Sequence, residues 1–318
     1  MDLINSETEL TRKMAINEMS GKIKKLIEDL RERIIGLISN IEVNIDYPEY
    51  EDIEIVTIEK IKKETKIMKE ELNRILKLSL DGKVIKDGIN TIILGKPNVG
   101  KSSLLNALLE EDKAIVTNIA GTTRDIVEGS IYVGGIKLNL IDTAGIRKSN
   151  NIVEKIGIEK SLKLIEKSNL ILLILDASKK LDKEDKFLIE KTNNKKRIIL
   201  LNKVDLGINN DFCEKSLKIS AKNDIGLENL KEKIKELFNV EEIENENNVF
   251  FTSARQISLL KTAIKALDDS YQASLENKEI DMIEIDLKLA WEKLGDIIGE
   301  NYEEELLDNL FSRFCLGK

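Results

Sequence analysis

Residues 95–102, Gly-Lys-Pro-Asn-Val-Gly-Lys-Ser, set two glycines and a Lys-Ser pair at the spacing G-x-x-x-x-G-K-[ST]. A loop with this spacing points successive backbone N–H groups into one concavity, and a helix starting at its end adds the positive end of its dipole. Oxyanions fit such a cradle, phosphates above all. Lys101 is a point charge able to reach the β- and γ-phosphates of a nucleotide, and Ser102 offers a hydroxyl to Mg²⁺, a hard ion that takes oxygen ligands. We expect Asn98, Val99, Gly100, Lys101, Ser102 and Ser103 to line this site.

Further stretches, in order along the chain, supply what the loop lacks. Asp142-Thr143-Ala144-Gly145 closes the apolar run Ile136–Ile141; a carboxylate there can hold Mg²⁺ through water, and the Gly145 N–H can meet the γ-phosphate. Asn202-Lys203-Val204-Asp205 closes a second apolar run, Arg197–Leu201, which places it at the carboxyl edge of a sheet, where α/β folds bind ligands. An ionised Asp205 offers only acceptors and pairs with the adjacent N1–H and N2–H₂ donors of guanine; adenine would cost it roughly 1–3 kcal/mol per unsatisfied group. The Lys203 stem would lie over the base and Asn202 would brace the loop from behind. Ser220-Ala221-Lys222, after Leu217–Ile219, would offer backbone N–H groups to the guanine O6. Between these stretches lies Thr117–Asp125, Thr-Asn-Ile-Ala-Gly-Thr-Thr-Arg-Asp. Its Thr123 hydroxyl can ligate Mg²⁺ and so sense the γ-phosphate. The ligand these groups select is GTP.

Such residues must be held by strands and helices of matching period. Apolar positions 23, 26, 30, 34, 37, 38 and 41 recur at threes and fours, predicting one long helix from about Ser6 to Ile45. After the turn at Tyr47-Pro48 a second helix carries Ile58, Ile61, Met68, Leu72, Ile75 and Leu76. From Asp87-Gly88 the period shortens, with strands expected at 92–94, 126–133, 136–141, 170–175 and 197–201. Gly134-Gly135 makes a hairpin, and helices lie at 102–109 and 226–238. A polar stretch, 244–248, leads to further helical periodicity from Ser253. We therefore expect an α/β P-loop GTPase domain, its sheet mainly parallel with one antiparallel strand, inserted into a discontinuous all-α helical domain: 1–88 and 241–318 helical, 89–240 the G domain.

Composition removes competing chemistries. With no histidine among 318 residues, Ser-His-Asp and Cys-His nucleophilic machinery and imidazole metal ligands are excluded. Two cysteines, Cys213 and Cys315, make no disulfide framework and no four-ligand zinc site, which suits a reducing compartment. A net charge of −8 argues against a broad sequence-blind nucleic-acid surface, DNA included. The run Leu170–Leu175 falls far short of the ~20 residues that span a bilayer, and the start MDLINSETEL lacks a secretory signal's cationic and apolar regions. Cys315 is followed by Leu-Gly-Lys, which is no prenylation box. A cytoplasmic protein with no membrane partner is the expectation.

On GKPNVGKSSLLNAL (95–108), IVTNIAGTTRD (115–125), DTAGIR (142–147) and the closing FSRFCLGK (311–318), the chain resembles the MnmE (TrmE) family of tRNA modification GTPases over nearly its whole length. The resemblance implies GTP hydrolysis in C5 modification of the tRNA wobble uridine, a carboxymethylaminomethyl-type change made with a flavoprotein of the MnmG (GidA) type. It also implies a K⁺ ion on Asn98 with oxygens from Thr117, Ile119 and Thr122, and pairing of G domains from two copies. Ile146 stands where Ras-like enzymes keep a water-orienting glutamine, and Glu154 matches the family's glutamate for that task. Cys315 and Lys318 match a tail that approaches a folate site. The family's N-terminal folate-binding domain has no counterpart here, so folate is expected only where that domain is present. Two alternatives remain at this point: a ribosome-assembly switch of the Era/Der class, and a nucleotide-gated interaction scaffold.

Overall fold

The computed structural model describes residues 6–18, 20–46, 58–111, 127–141, 163–209, 215–276 and 278–299. The chain divides into two compact units, one of residues 1–12 and 84–241, the other of 13–83 and 242–318.

The first unit is a six-stranded sheet: β1 (Ile89–Leu94), β2 (Val127–Val133), β3 (Ile136–Ile141), β4 (Leu170–Asp176), β5 (Arg197–Asn202) and β6 (Leu217–Lys218), in spatial order β2-β3-β1-β4-β5-β6. Only β2 is antiparallel, paired with β3 through the Gly134-Gly135 turn; β1 pairs in parallel with β3 and β4, β4 with β5, and β5 with β6. The mainly parallel sheet with one antiparallel strand is thus as expected. Every residue of β4 is buried, because it lies at the centre with both faces covered. On one face Ile92, Leu94, Ile171, Leu173, Leu175, Ile199 and Leu201 form a core with Leu164 and Ile165, to which Leu188 and Ile189 are added. All four parallel connections leave the carboxyl ends of β1, β4 and β5 near one edge, the edge where the nucleotide motifs fall.

The helices of this unit are α4 (Lys101–Glu111), α5 (Lys183–Lys191), α6 (Leu227–Leu237) and α7 (Val240–Glu244), the last running across the boundary of the units. In α6 the buried Leu227, Leu230 and Ile234 sit three and four residues apart, the spacing of one helical face.

The second unit is built on α2 (Lys22–Asp46), most of α3 (Ile58–Asp87), α8 (Ala254–Leu275) and α9 (Ile280–Ile298). Ile27, Ile34 and Ile38 of α2, Met68 and Leu72 of α3, Leu260 and Leu267 of α8, and Leu287, Trp291 and Leu294 of α9 belong to one buried cluster. Chain segments that precede and follow the sheet in sequence therefore share a single core. The Arg31 guanidinium lies over the Trp291 ring, 4.0 Å from its centre, so the charge is carried into the core against an aromatic face.

One sequence expectation is corrected. The long helix predicted from Ser6 to Ile45 is two helices, α1 (Glu9–Glu18) and α2, parted at Ser20-Gly21. Gly21 has φ +74°, the left-handed conformation that stops a helix, and Ser20 turns its N–H and hydroxyl back to the Asn17 carbonyl. The apolar period runs through the break, which is why periodicity alone did not find it. The polar stretch 244–248 is an ordered turn in which Asn245 Oδ1 accepts from Asn247 N–H and Asn248 Nδ2 donates to the Glu242 carbonyl.

Candidate guanine-nucleotide site

The glycine-rich loop runs from the end of β1 to the start of α4, and the Leu104 N–H closes the first turn of the helix on the Gly100 carbonyl at 2.9 Å. Asn98, exposed, and Gly100 both take positive φ, +62° and +104°. These signs turn the chain so that the loop's amides face the helix axis. A Cβ on Gly100 would collide with the Asn202 side-chain nitrogen, so glycine is required there by contact as well as by conformation.

Lys101 folds its ammonium over the loop, donating to the Gly95 carbonyl at 2.6 Å and the Lys96 carbonyl at 2.7 Å. Burial pushes its pKa below the ordinary lysine value, with Glu184 acting in the opposite sense. A half-buried cation bonded to neutral carbonyls suits an anion. Ser102 and Ser103 lie exposed on the first turn of α4.

Asn202, at the end of β5 and 3% exposed, joins two loops. Its Nδ2 donates to the Val99 carbonyl at 2.8 Å and its Oδ1 accepts from the Ala221 N–H at 3.0 Å. One amide side chain thus ties the phosphate loop to the Ser220-Ala221-Lys222 loop. Lys203 takes φ +67° and sends its ammonium 2.7 Å from Asp176 Oδ2, at the end of β4. Burial works to raise the Asp176 carboxyl, and the bonds from Lys203 and Ser178 outweigh it, holding the group below the usual carboxylate range. Asp205, exposed, accepts from the buried Ser220 hydroxyl at 2.5 Å, so the residue expected to read the base is oriented by the loop expected to meet its O6. Lys222 is exposed beside them.

Asn98 through Ser103, Asn202, Lys203, Asp205 and Ser220 through Lys222 therefore gather at one edge of the sheet. Thr117, Ile119, Thr122, Thr123, Asp142, Thr143, Ala144, Gly145, Glu154, Cys315 and Lys318 lie outside the described residues. Three participants were not anticipated. Asp176 ends an apolar strand, and Asp182 and Asp185 form a capping box at the start of α5; the D-x-x-D spacing signals a helix start, but nothing in it says that Lys96 is bound there.

Against known proteins, the model of the MnmE helical domain matches residues 1–315. The chain belongs to the MnmE family. A protein of Lactiplantibacillus plantarum named tRNA modification GTPase MnmE is 45% identical over 327 aligned residues, covering 100% of this chain and 71% of that relative. A Staphylococcus aureus protein of the same name is 43% identical over 326, again across 100% of this chain and 71% of the relative. Among solved structures, the FeoB G-domain of Methanococcus jannaschii aligns with 48% of this chain and 98% of its own at 24% identity and a TM-score of 0.33. Against its family this chain shows the expected mixed sheet, P-loop and helical core in one polypeptide.

Proposed function

We propose that this GTP-hydrolysing enzyme acts in C5 modification of the tRNA wobble uridine, installing a carboxymethylaminomethyl-type group with a flavoprotein partner of the MnmG type in the cytoplasm. The observation that carries the nucleotide reading is the Asn202 bridge, which sets the phosphate loop and the base-reading loop at a fixed separation. The tRNA and flavoprotein part of the reading is supported by family membership. In this reading the G domain is 89–240 and the flanks, 1–88 and 241–318, make the helical domain. Among the described residues no helix is long and apolar enough to cross a membrane.

The loop amides and the start of α4 would hold the β- and γ-phosphates, with the Lys101 ammonium, steadied by two carbonyls, directed at the phosphate oxygens. The Ser102 hydroxyl, exposed on the first turn of α4, suits Mg²⁺, with Thr123 as second ligand; when bound, the ion would supply positive charge to the phosphate oxygens. Asn98, exposed on the same loop, offers a side-chain carbonyl for K⁺, completed by Thr117, Ile119 and Thr122. Glu154 would orient the attacking water and a second copy's G domain would close the nucleotide face. Asp205 would select guanine, with the Lys203 stem over the base and its ammonium pinned to Asp176.

Turnover in KCl against NaCl at equal ionic strength tests the K⁺ and pairing claims. The reading expects a higher rate in KCl that rises with protein concentration and is lost in Glu154→Ala with GTP binding retained. Equal rates in the two salts overturn the K⁺ site. Copurification with ribosomal subunits, in place of tRNA and a flavoprotein, overturns the modification role.

A further inference from the structure

We propose that Lys96, one of the four unspecified positions of the phosphate-loop pattern, is a positioning residue that aims Lys101 at the nucleotide by fastening the loop to the capping box of α5; the proposal rests on the guanine-nucleotide reading of the site. The Lys96 ammonium lies 2.5 Å from Asp182 Oδ2 and 2.7 Å from Asp185 Oδ2. The same residue's carbonyl accepts the Lys101 ammonium at 2.7 Å. One residue therefore joins a helix start on one side to the phosphate-binding lysine on the other.

The anchor is stiff on the helix side. Asp182 Oδ1 accepts from the Glu184 and Asp185 N–H groups at 3.0 Å each, and Asp185 Oδ2 accepts from the Asp182 N–H at 3.2 Å. Both carboxylates are thus held by the backbone of the turn before Lys96 reaches them. Asp182 is pulled down to about 2 by the Lys96 bond first and the cap bonds after it. Lys96 is raised: burial opposes its charge, and the two carboxylates outweigh burial.

Stability alone explains this poorly. The Asp185 side chain is 5% exposed and its Oδ1 has no hydrogen-bond partner among the described residues, so this carboxylate has been taken out of water at a cost that an apolar contact would avoid. What the arrangement does provide is a fixed peptide at residue 96. With the side chain released, that peptide loses its tie to α5, and one of the two carbonyls that aim Lys101 is held less firmly. GTP and GDP share the β-phosphate, one of the two that Lys101 would reach.

The experiment compares wild type with Lys96→Met, Lys96→Arg and Asp185→Asn in the full chain, reading the Kd of GTP and of a fluorescent GDP, kcat at saturating GTP, and Tm without nucleotide. Lys96→Met and Asp185→Asn are expected to weaken both nucleotides about tenfold while kcat stays within about twofold, the signature of lost positioning in binding. Lys96→Arg, whose fork can meet two carboxylates, should restore affinity. The double variant should bind no worse than Lys96→Met, because both changes cut one link. Unchanged affinity in Lys96→Met and Asp185→Asn, with or without a fall in Tm, overturns the proposal. A wild type that binds neither nucleotide overturns the guanine-nucleotide reading and the anchor with it. Asp185→Asn keeps the side chain's size and an acceptor for the cap while removing the charge that Lys96 meets at the same oxygen, so it carries the comparison should Lys96→Met fail to fold.

Discussion

At the scale of single residues, the base selection we propose rests on Asp205. Its carboxylate already takes the Ser220 hydroxyl at 2.5 Å, which leaves its acceptor edge directed by a buried neighbour. Replacing it with asparagine exchanges one acceptor for a donor. Guanine then meets N–H against N–H, while xanthine, with a carbonyl at C2, gains a partner. Asp205→Asn is expected to weaken GTP by about 2 kcal/mol, or ~30-fold, and to strengthen XTP, as read by competition between the two nucleotides. A variant that bound both as wild type does would show that Asp205 does not read the base. Asp176 would act one step further back, through its ion pair with Lys203.

At the scale of elements, the phosphate loop is a strand-to-helix connection whose shape depends on φ +104° at Gly100 and on the closeness of Asn202. Alanine there would adopt a disfavoured conformation and push against the nitrogen that donates to the Val99 carbonyl. Gly100→Ala should cost about 1–2 kcal/mol from the backbone alone and lower Tm by several degrees. It should also weaken GTP, because the link between phosphate and base loops is the group displaced. Calorimetry with and without GTP separates the two effects: a Tm loss with an unchanged nucleotide-induced rise would mean that Asn202 had found another route to the loop. The break between α1 and α2 is the same physics at another site, a left-handed glycine ending a helix that its neighbours would have continued.

At the scale of the whole molecule, each unit sets one lysine between two carboxylates. In the helical unit Lys288 meets Glu284 at 2.8 Å and Glu42 at 2.9 Å, placing two carboxylates about one ammonium between α9 and α2. Burial, with Glu42 adding to it, raises the Glu284 carboxyl above its ordinary value although Lys288 pulls the other way. A raised carboxyl favours the fold while protonated, so its contribution is present below the ordinary value near 4.5 and is lost as pH climbs through the higher folded value. Glu284→Gln removes that loss. Its Tm should exceed wild type by about 2–4 °C at pH 8, corresponding to ~1 kcal/mol, with the difference narrowing toward pH 5. A variant less stable than wild type at pH 8 would mean that the Lys288 pairing outweighs the burial cost.

Much of this architecture was written in local signals. The G-x-x-x-x-G-K-S spacing, the apolar runs that end in Asn202 and Asp142, and the periodic stripes of α2, α3, α8 and α9 each express a rule that acts within a few residues, so one chain read by itself sufficed for the mixed sheet and the helical core. It also sufficed for the brace of Asn202 on the phosphate loop, because strand, loop and ligand edge are linked by the geometry of parallel sheets. What tertiary structure alone decided are the pairings between residues distant in sequence: Lys96 with Asp182 and Asp185, Lys203 with Asp176, and Glu42 with Lys288. A surplus of charged side chains leaves many partners open to each lysine, and no local rule ranks them. Only packing, by deciding which carboxylates lose their water, selects the ones that matter.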